Sequence, residues 1–142
     1  MLKVIIYGEP IPQARPRFTK AGHAYEPPRS RNYKTLARFW LTQKLKKENA
    51  WKPLETALVV DITFYMSIPS SWNKKRKEEA YNGVIRPTTR NGDIDNLIKA
   101  VLDAGNGLLW ADDMYITDIK AKKRYTADAA RVELTVKEVE SC

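Results

Sequence analysis

The chain has 142 residues, 43% of them hydrophobic and 10% aromatic, which predicts one domain with a core to bury and argues against intrinsic disorder. Its 25 Lys and Arg against 17 Asp and Glu leave a net charge of +8, a balance that favours polyanionic partners. Cys142 is the lone cysteine and His23 the lone histidine, so disulfide scaffolds, thiolate or imidazole zinc sites and histidine triads are excluded, and any catalysis falls to carboxylates, Lys and Arg. No stretch reaches the roughly 18 apolar residues of a membrane span, and residues 1–13 lack the basic start and long apolar core of a secretory signal. A reducing cytoplasm is the expected location.

In chain order, the alternation of Leu2, Val4 and Ile6 with Lys3, Ile5 and Tyr7 predicts a half-buried strand over 2–7. Gly8, Pro10, Pro12 and Pro16 end it, and 15–28 reads as an irregular basic loop. From about Ser30, Tyr33, Leu36, Ala37, Trp40 and Leu41 recur at helical spacing, with Arg31, Lys34, Arg38, Lys46 and Lys47 on the other face. Leu58, Val60, Ile62, Phe64 and Met66 alternate with Asp61, Thr63 and Tyr65, the clearest strand in the chain. Ser70–Ser71 can cap a short polar helix over 72–81, which Asn82–Gly83 ends. A further helix is expected over about 94–104, then strands over about 115–125 and 131–139. This order, with no repeats or linkers, predicts an α+β fold: one domain over 1–142, a small mixed or antiparallel sheet covered by two main helices.

The charge is unevenly spread. Residues 13–52 hold 11 basic side chains against Glu26 and Glu48, or +9, whereas 91–113 hold five aspartates against Lys99, or −4. Asp93 and Asp95 stand two apart, either aimed to one side of an extended segment or capping a helix. Ile94, Leu97, Ile98, Val101 and Leu102 form a buried helical stripe, and Asp95, Lys99 and Asp103 lie at i, i+4, i+8 opposite it. Asn106–Gly107 turns the chain, Leu108, Leu109 and Trp110 return to the core, and Asp112–Asp113 follow at its rim. Clustered oxygen ligands without His or Cys suit Mg²⁺ or Mn²⁺, and the chemistry they imply is metal-assisted attack of water on a phosphodiester, with Lys99 stabilising developing charge. The plainer reading is a capped amphipathic helix with surface ion pairs and an acidic turn. After it, Ile116, Asp118, Lys120, Lys122 and Arg124 alternate to one side of a strand, a basic ridge leading away from Asp112 and Asp113.

These residues resemble the RusA family of Holliday junction resolvases. The similar pattern is an Asp-X-Asp-Asn-Leu-X-Lys block, Asp93 to Lys99, then Asp103, the turn at 106–107, and an apolar-Trp-X-Asp-Asp segment ending at Asp113. The opening from Gly8 through Arg15, Pro16, Arg17 and Phe18 is similar to members from Gram-positive bacteria and their phages. The resemblance implies a Mg²⁺-dependent homodimer that nicks two strands of a four-way DNA junction, with Asp93, Asp95 and Asp113 matching the essential carboxylates, Lys99 the essential lysine, and Asp112 next in line as a ligand. Arg15, Arg17, Lys20, Arg90, Lys120, Lys122 and Arg124 are the candidate DNA contacts. Many relatives read Lys-Pro-Asp before the helix, where this chain has Asn91-Gly92-Asp93, with Arg90 as the cation one residue earlier.

Two other functions compete with a branched-DNA endonuclease. A non-catalytic nucleic-acid-binding protein would use the aspartates as caps and turn residues. A Mg²⁺ enzyme acting on nucleotides or small phosphate esters lacks a glycine-rich phosphate loop here, and the long basic helix suits an extended backbone better than a small ligand.

Overall fold

The computed structural model describes residues 1–88 and 92–139. Four strands form the main sheet: β1 (Leu2–Tyr7), β4 (Leu58–Ser67), β5 (Ile116–Thr126) and β6 (Arg131–Glu138), in the order β1-β6-β4-β5. β6 runs antiparallel to both β1 and β4, while β4 and β5 are parallel, so the sheet is mixed. A parallel pair needs a long crossover, and this one carries two helices, α2 (Lys74–Tyr81) and α3 (Ile94–Gly105). The first helix, α1 (Pro28–Leu45), begins at a proline, whose missing N–H costs nothing in the first turn. The architecture is α+β, with three helices against a mixed sheet.

One face of the sheet is apolar. Val4, Ile6, Val60, Ile62, Phe64, Leu134 and Val136 join Tyr33, Ala37 and Leu41 of α1 and Leu97, Val101 and Ala104 of α3 in a single buried cluster. The opposite face carries Asp61, Thr63 and Tyr65 beside Thr135, Glu133 and Arg131, with the Arg131 guanidinium 4.2 Å from the Tyr65 ring centre.

Three expectations change. The basic loop contains a small antiparallel hairpin, β2 (Arg17–Phe18) and β3 (Ala24–Tyr25), closed where the Thr19 N–H donates to the His23 carbonyl at 2.9 Å and Gly22 takes φ +84°. The short polar helix is capped by Asn73, whose side chain accepts the Arg76 N–H at 2.9 Å, rather than by Ser70 or Ser71. Arg38, placed on the basic face of α1, instead donates through Nη1 to the carbonyls of Ala104 and Asn106 at 3.0 Å, where a cation satisfies the open end of α3.

Candidate active site

Helix α3 carries the acidic block because its sequence buries one side and leaves the other bare. Leu97, Ala100, Val101 and Ala104 sink into the core, which leaves Asp95 and Lys99 exposed and Asn96 and Asp103 half-buried on the outer side. Asp93 occupies the N-cap position, yet its side chain makes no capping hydrogen bond. The capping account therefore fails for Asp93: its carboxylate is exposed and not engaged by the helix it precedes. Lys99 is committed, its Nζ lying 3.2 and 3.4 Å from the two carboxylate oxygens of Asp103.

The segment before α1 is laid against this helix. The Gln13 N–H donates to the Asn96 carbonyl at 2.9 Å, and the Ala14 N–H donates to the hydroxyl of buried Ser30 at 2.9 Å. Pinned between α3 and α1, the segment sets Arg15 and Arg17 beside the acidic block. A cleft of about 290 Å³ is lined by Arg15, Arg17, Arg29, Ser30, Asp93 and Asn96. An adjoining one of about 350 Å³ is lined by Arg15, Glu26, Lys34, Asn96, Lys99 and Asp103. Carboxylates facing arginines and lysines across a cleft can hold a phosphodiester while leaving oxygen ligands for a cation.

The second acidic pair sits at the far end of α3. Trp110, fully buried, donates its indole N–H to the Asn106 side-chain oxygen at 2.9 Å. The Asn106 amide nitrogen in turn reaches an Asp113 oxygen at 3.5 Å. The segment is fixed from outside by Leu54, whose N–H donates to the Leu109 carbonyl at 3.0 Å and whose carbonyl accepts the Ala111 N–H at 2.9 Å. Asp112 accepts the Met114 N–H at 2.9 Å, capping the 3-10 turn Asp113–Tyr115, so for Asp112 the turn reading holds. Ten helical residues, 96–105, lie between Asp95 and the second pair, a rise of roughly 15 Å. Accordingly, among the described residues no three Asp, Glu, His or Cys side chains converge into an ion cage.

The remaining candidates are dispersed. Lys20 is exposed beside the tip of the β2–β3 hairpin, and Arg90 lies outside the described residues. The register of β5 sets Ile119, Ala121, Lys123 and Tyr125 beside buried Val60, Ile62, Phe64 and Met66. Lys120, Lys122 and Arg124 therefore line the opposite face, beside Asp61, Thr63 and Tyr65, and do not lead away from the acidic residues on the α3 side. Arg124 folds back on its own strand, donating to the Lys123 carbonyl at 2.8 Å. Ile116 leaves the expected ridge as well, because an irregularity between Leu58 and Val59 pairs it with buried Leu58. The sequence reading overlooked Lys123, whose Nζ donates to the Gly92 carbonyl at 2.6 Å. A lysine in the apolar-facing register of a strand was the available signal.

Comparison with known proteins identifies the family. The chain is 34% identical over 143 residues to an uncharacterized protein, YqaN, of Bacillus subtilis (strain 168), covering 97% of this chain and 96% of that one. Residues 7–137 match the family described as Endodeoxyribonuclease RusA, a span that takes in the Arg15–Arg17 segment, all of α3 and Asp112–Asp113. The chain belongs to the RusA endodeoxyribonuclease family.

Proposed function

We infer that this chain, a member of the RusA endodeoxyribonuclease family, is a nuclease of the Holliday-junction-resolving kind, acting on branched DNA. We propose that it resolves four-way junctions by Mg²⁺-dependent paired nicks, with Asp93 and Asp95 holding the ion, Asp113 as the further essential carboxylate and Lys99 at the reacting phosphate. The observation that carries this is the carboxylate of Asp93, which makes no capping bond to α3 and lines a cleft together with Arg15 and Arg17. The donor chemistry fits a hard cation: exposed carboxylate oxygens, no thiolate or imidazole, and room for retained waters. A bound Mg²⁺ would supply polarisation of the phosphoryl oxygens and would make a coordinated water more acidic than bulk water. Arg15, Arg17 and Arg29 hold and orient the backbone, and Lys99, drawn from Asp103, neutralises charge that develops on the phosphate.

A homodimer belongs to the same proposal. Two symmetry-related cuts call for two equivalent sites, which a two-fold pair supplies. Tyr33, Ala37 and Leu41 are used inside the chain, but Tyr7, Leu36 and Phe39 remain 42%, 39% and 51% exposed, apolar surface suited to a second copy. A second copy also answers the separation along α3, by bringing its own Asp113 to the Asp93–Asp95 pair.

The test is cleavage of end-labelled four-way, flapped and linear DNA with Mg²⁺ or with EDTA. Symmetrical nicks confined to the four-way substrate and lost in EDTA are expected. Binding without nicks in Mg²⁺ or Mn²⁺ overturns the proposal in favour of a non-catalytic DNA-binding protein.

A further inference from the structure

We propose that the groove at Asp93 continues past Arg29 to α2, where Lys74 and Lys77 hold the phosphodiester backbone of a DNA arm leaving the cut site. The inference rests on the endonuclease reading above and adds to it a distal contact surface.

The clefts along this side of the molecule share walls. Arg29 lines both the cleft holding Asp93 and the next one, formed by Glu9, Pro10, Met66, Ser67, Pro87 and Tyr125. Ser67 lines that second cleft and also a larger one, of about 680 Å³, beneath α2. Lys74, Lys77, Ser70 and Tyr81 form the wall of the larger cleft, with Glu78 and Asp128 as its carboxylates. In the linking cleft, Glu9 is engaged, accepting the Ser67 N–H at 3.1 Å. A chain running from Asp93 toward α2 therefore meets Arg29, then serine hydroxyls, then lysines.

The charge on α2 is not explained by the fold. Lys74, Lys75, Arg76 and Lys77 follow one another in its first turn, with no acidic residue there and no basic one in the last turn. That order opposes the helix dipole and crowds like charges. Among the described residues none of the four forms an ion pair within the chain. Arg76 is held otherwise: its guanidinium lies 3.9 Å from the Trp72 ring centre, and Trp72 meets Tyr125 edge-to-face at 5.2 Å. A guanidinium held over an indole face keeps N–H groups available to phosphate and its side chain ordered before binding. Phosphate backbone is the polyanion that fits, because its charge is repeated along a length and the groove is continuous with the site where the cut is made.

The experiment measures the affinity of a fluorescent four-way junction, in Ca²⁺ to suppress cutting, across a salt series. Wild type is compared with Lys74→Ser/Lys77→Ser and with a charge-matched control, Lys52→Ser/Lys137→Ser, whose lysines lie outside the groove. The α2 variant is expected to lose roughly tenfold in affinity and to flatten the slope of log K against log salt by about two. The control is expected to retain the wild-type slope. Junctions with arms cut back until they cannot reach α2 should bring wild type and variant together. An unchanged slope in the α2 variant, or an equal loss in the control, overturns the inference while leaving the endonuclease reading intact. A wild-type chain that ignores the junction overturns both.

Discussion

Lys123 on β5 holds the residue before Asp93: its ammonium donates to the Gly92 carbonyl at 2.6 Å, so the entrance to α3 hangs from the sheet as well as from its own helix. Asp93 is not anchored by a capping bond, and the sheet attachment takes over part of that positioning. Lys123→Met keeps the aliphatic stem and removes the donor. Single-turnover nicking is expected to fall by about tenfold or more, since small displacements of catalytic groups are costly in rate, while junction affinity falls only about twofold, as for one contact among many. Hydrogen exchange at residues 92–94 should rise in parallel. An unaltered nicking rate would show that Gly92 keeps its place without the lysine.

Asp93 and Asp112 should respond oppositely to alanine. Asp93→Ala removes no capping bond, so its denaturation midpoint should match wild type while nicking is lost. Asp112→Ala removes the acceptor for the Met114 N–H and should cost about 1 kcal/mol, as cap removal commonly does. Urea unfolding together with a junction-cutting assay separates the two effects. A stability loss in Asp93→Ala equal to that of Asp112→Ala would restore the capping account.

The separation of the acidic pairs along α3 leads to a mixing experiment. Asp93→Asn and Asp113→Asn chains are each expected to bind junctions without cutting them. If the proposed dimer shares its sites, the two chains refolded together should regain nicking of one strand, because one of the two sites in a mixed dimer then carries both native carboxylates. Mixtures as inactive as their parents would place the complete site within a single chain.

Lys99 and Asp103 form an i,i+4 pair at 3.2 Å in which the lysine is exposed, so the pair contributes little to stability. Its consequence is on the reaction. Lys99→Ala should slow single-turnover cutting with little loss of junction affinity, whereas Asp103→Asn releases the lysine toward phosphate and should tighten binding at low salt. Anisotropy titrations and quenched-flow cutting measure both. A large affinity loss in Lys99→Ala with an unchanged rate would assign the lysine to the DNA footprint instead.

Gly105 ends α3 against Trp110, and a Cβ there would lie 2.5 Å from indole Cζ2 and 2.9 Å from Cε2. Trp110 is fully buried and has no free side to move toward. Gly105→Ala is therefore expected to destabilise the chain by about 1–3 kcal/mol, as core overpacking does, and to disturb the Asn106–Asp113 contact that depends on the indole N–H. Urea unfolding and the near-ultraviolet circular dichroism of the tryptophans are the measurements.

Local pattern was enough to find the strand at 2–7 and, to within a residue at their ends, the strands expected at 58–66, 115–125 and 131–139, together with the helix stripe from Leu97 to Val101, the end of α2 at Asn82–Gly83, and the acidic block itself. Each depends on periodicity or a turn residue within one segment, information that neighbouring residues carry without reference to the rest of the chain. Tertiary structure alone decided what depends on segments distant in sequence. The parallel pairing of β4 with β5 and the shift between Leu58 and Val59 chose which side of β5 met the helices. That choice turned Lys120, Lys122 and Arg124 away from Asp93 and turned Lys123 toward Gly92. In a strand of period two a one-residue shift exchanges the faces, and no local signal in an alternating run of lysines reveals which neighbour it will meet. The same holds for Arg38, an apparent surface cation until α3 ended beside it, and for the acidic pairs, contiguous in a sequence motif yet held apart by the length of the helix between them.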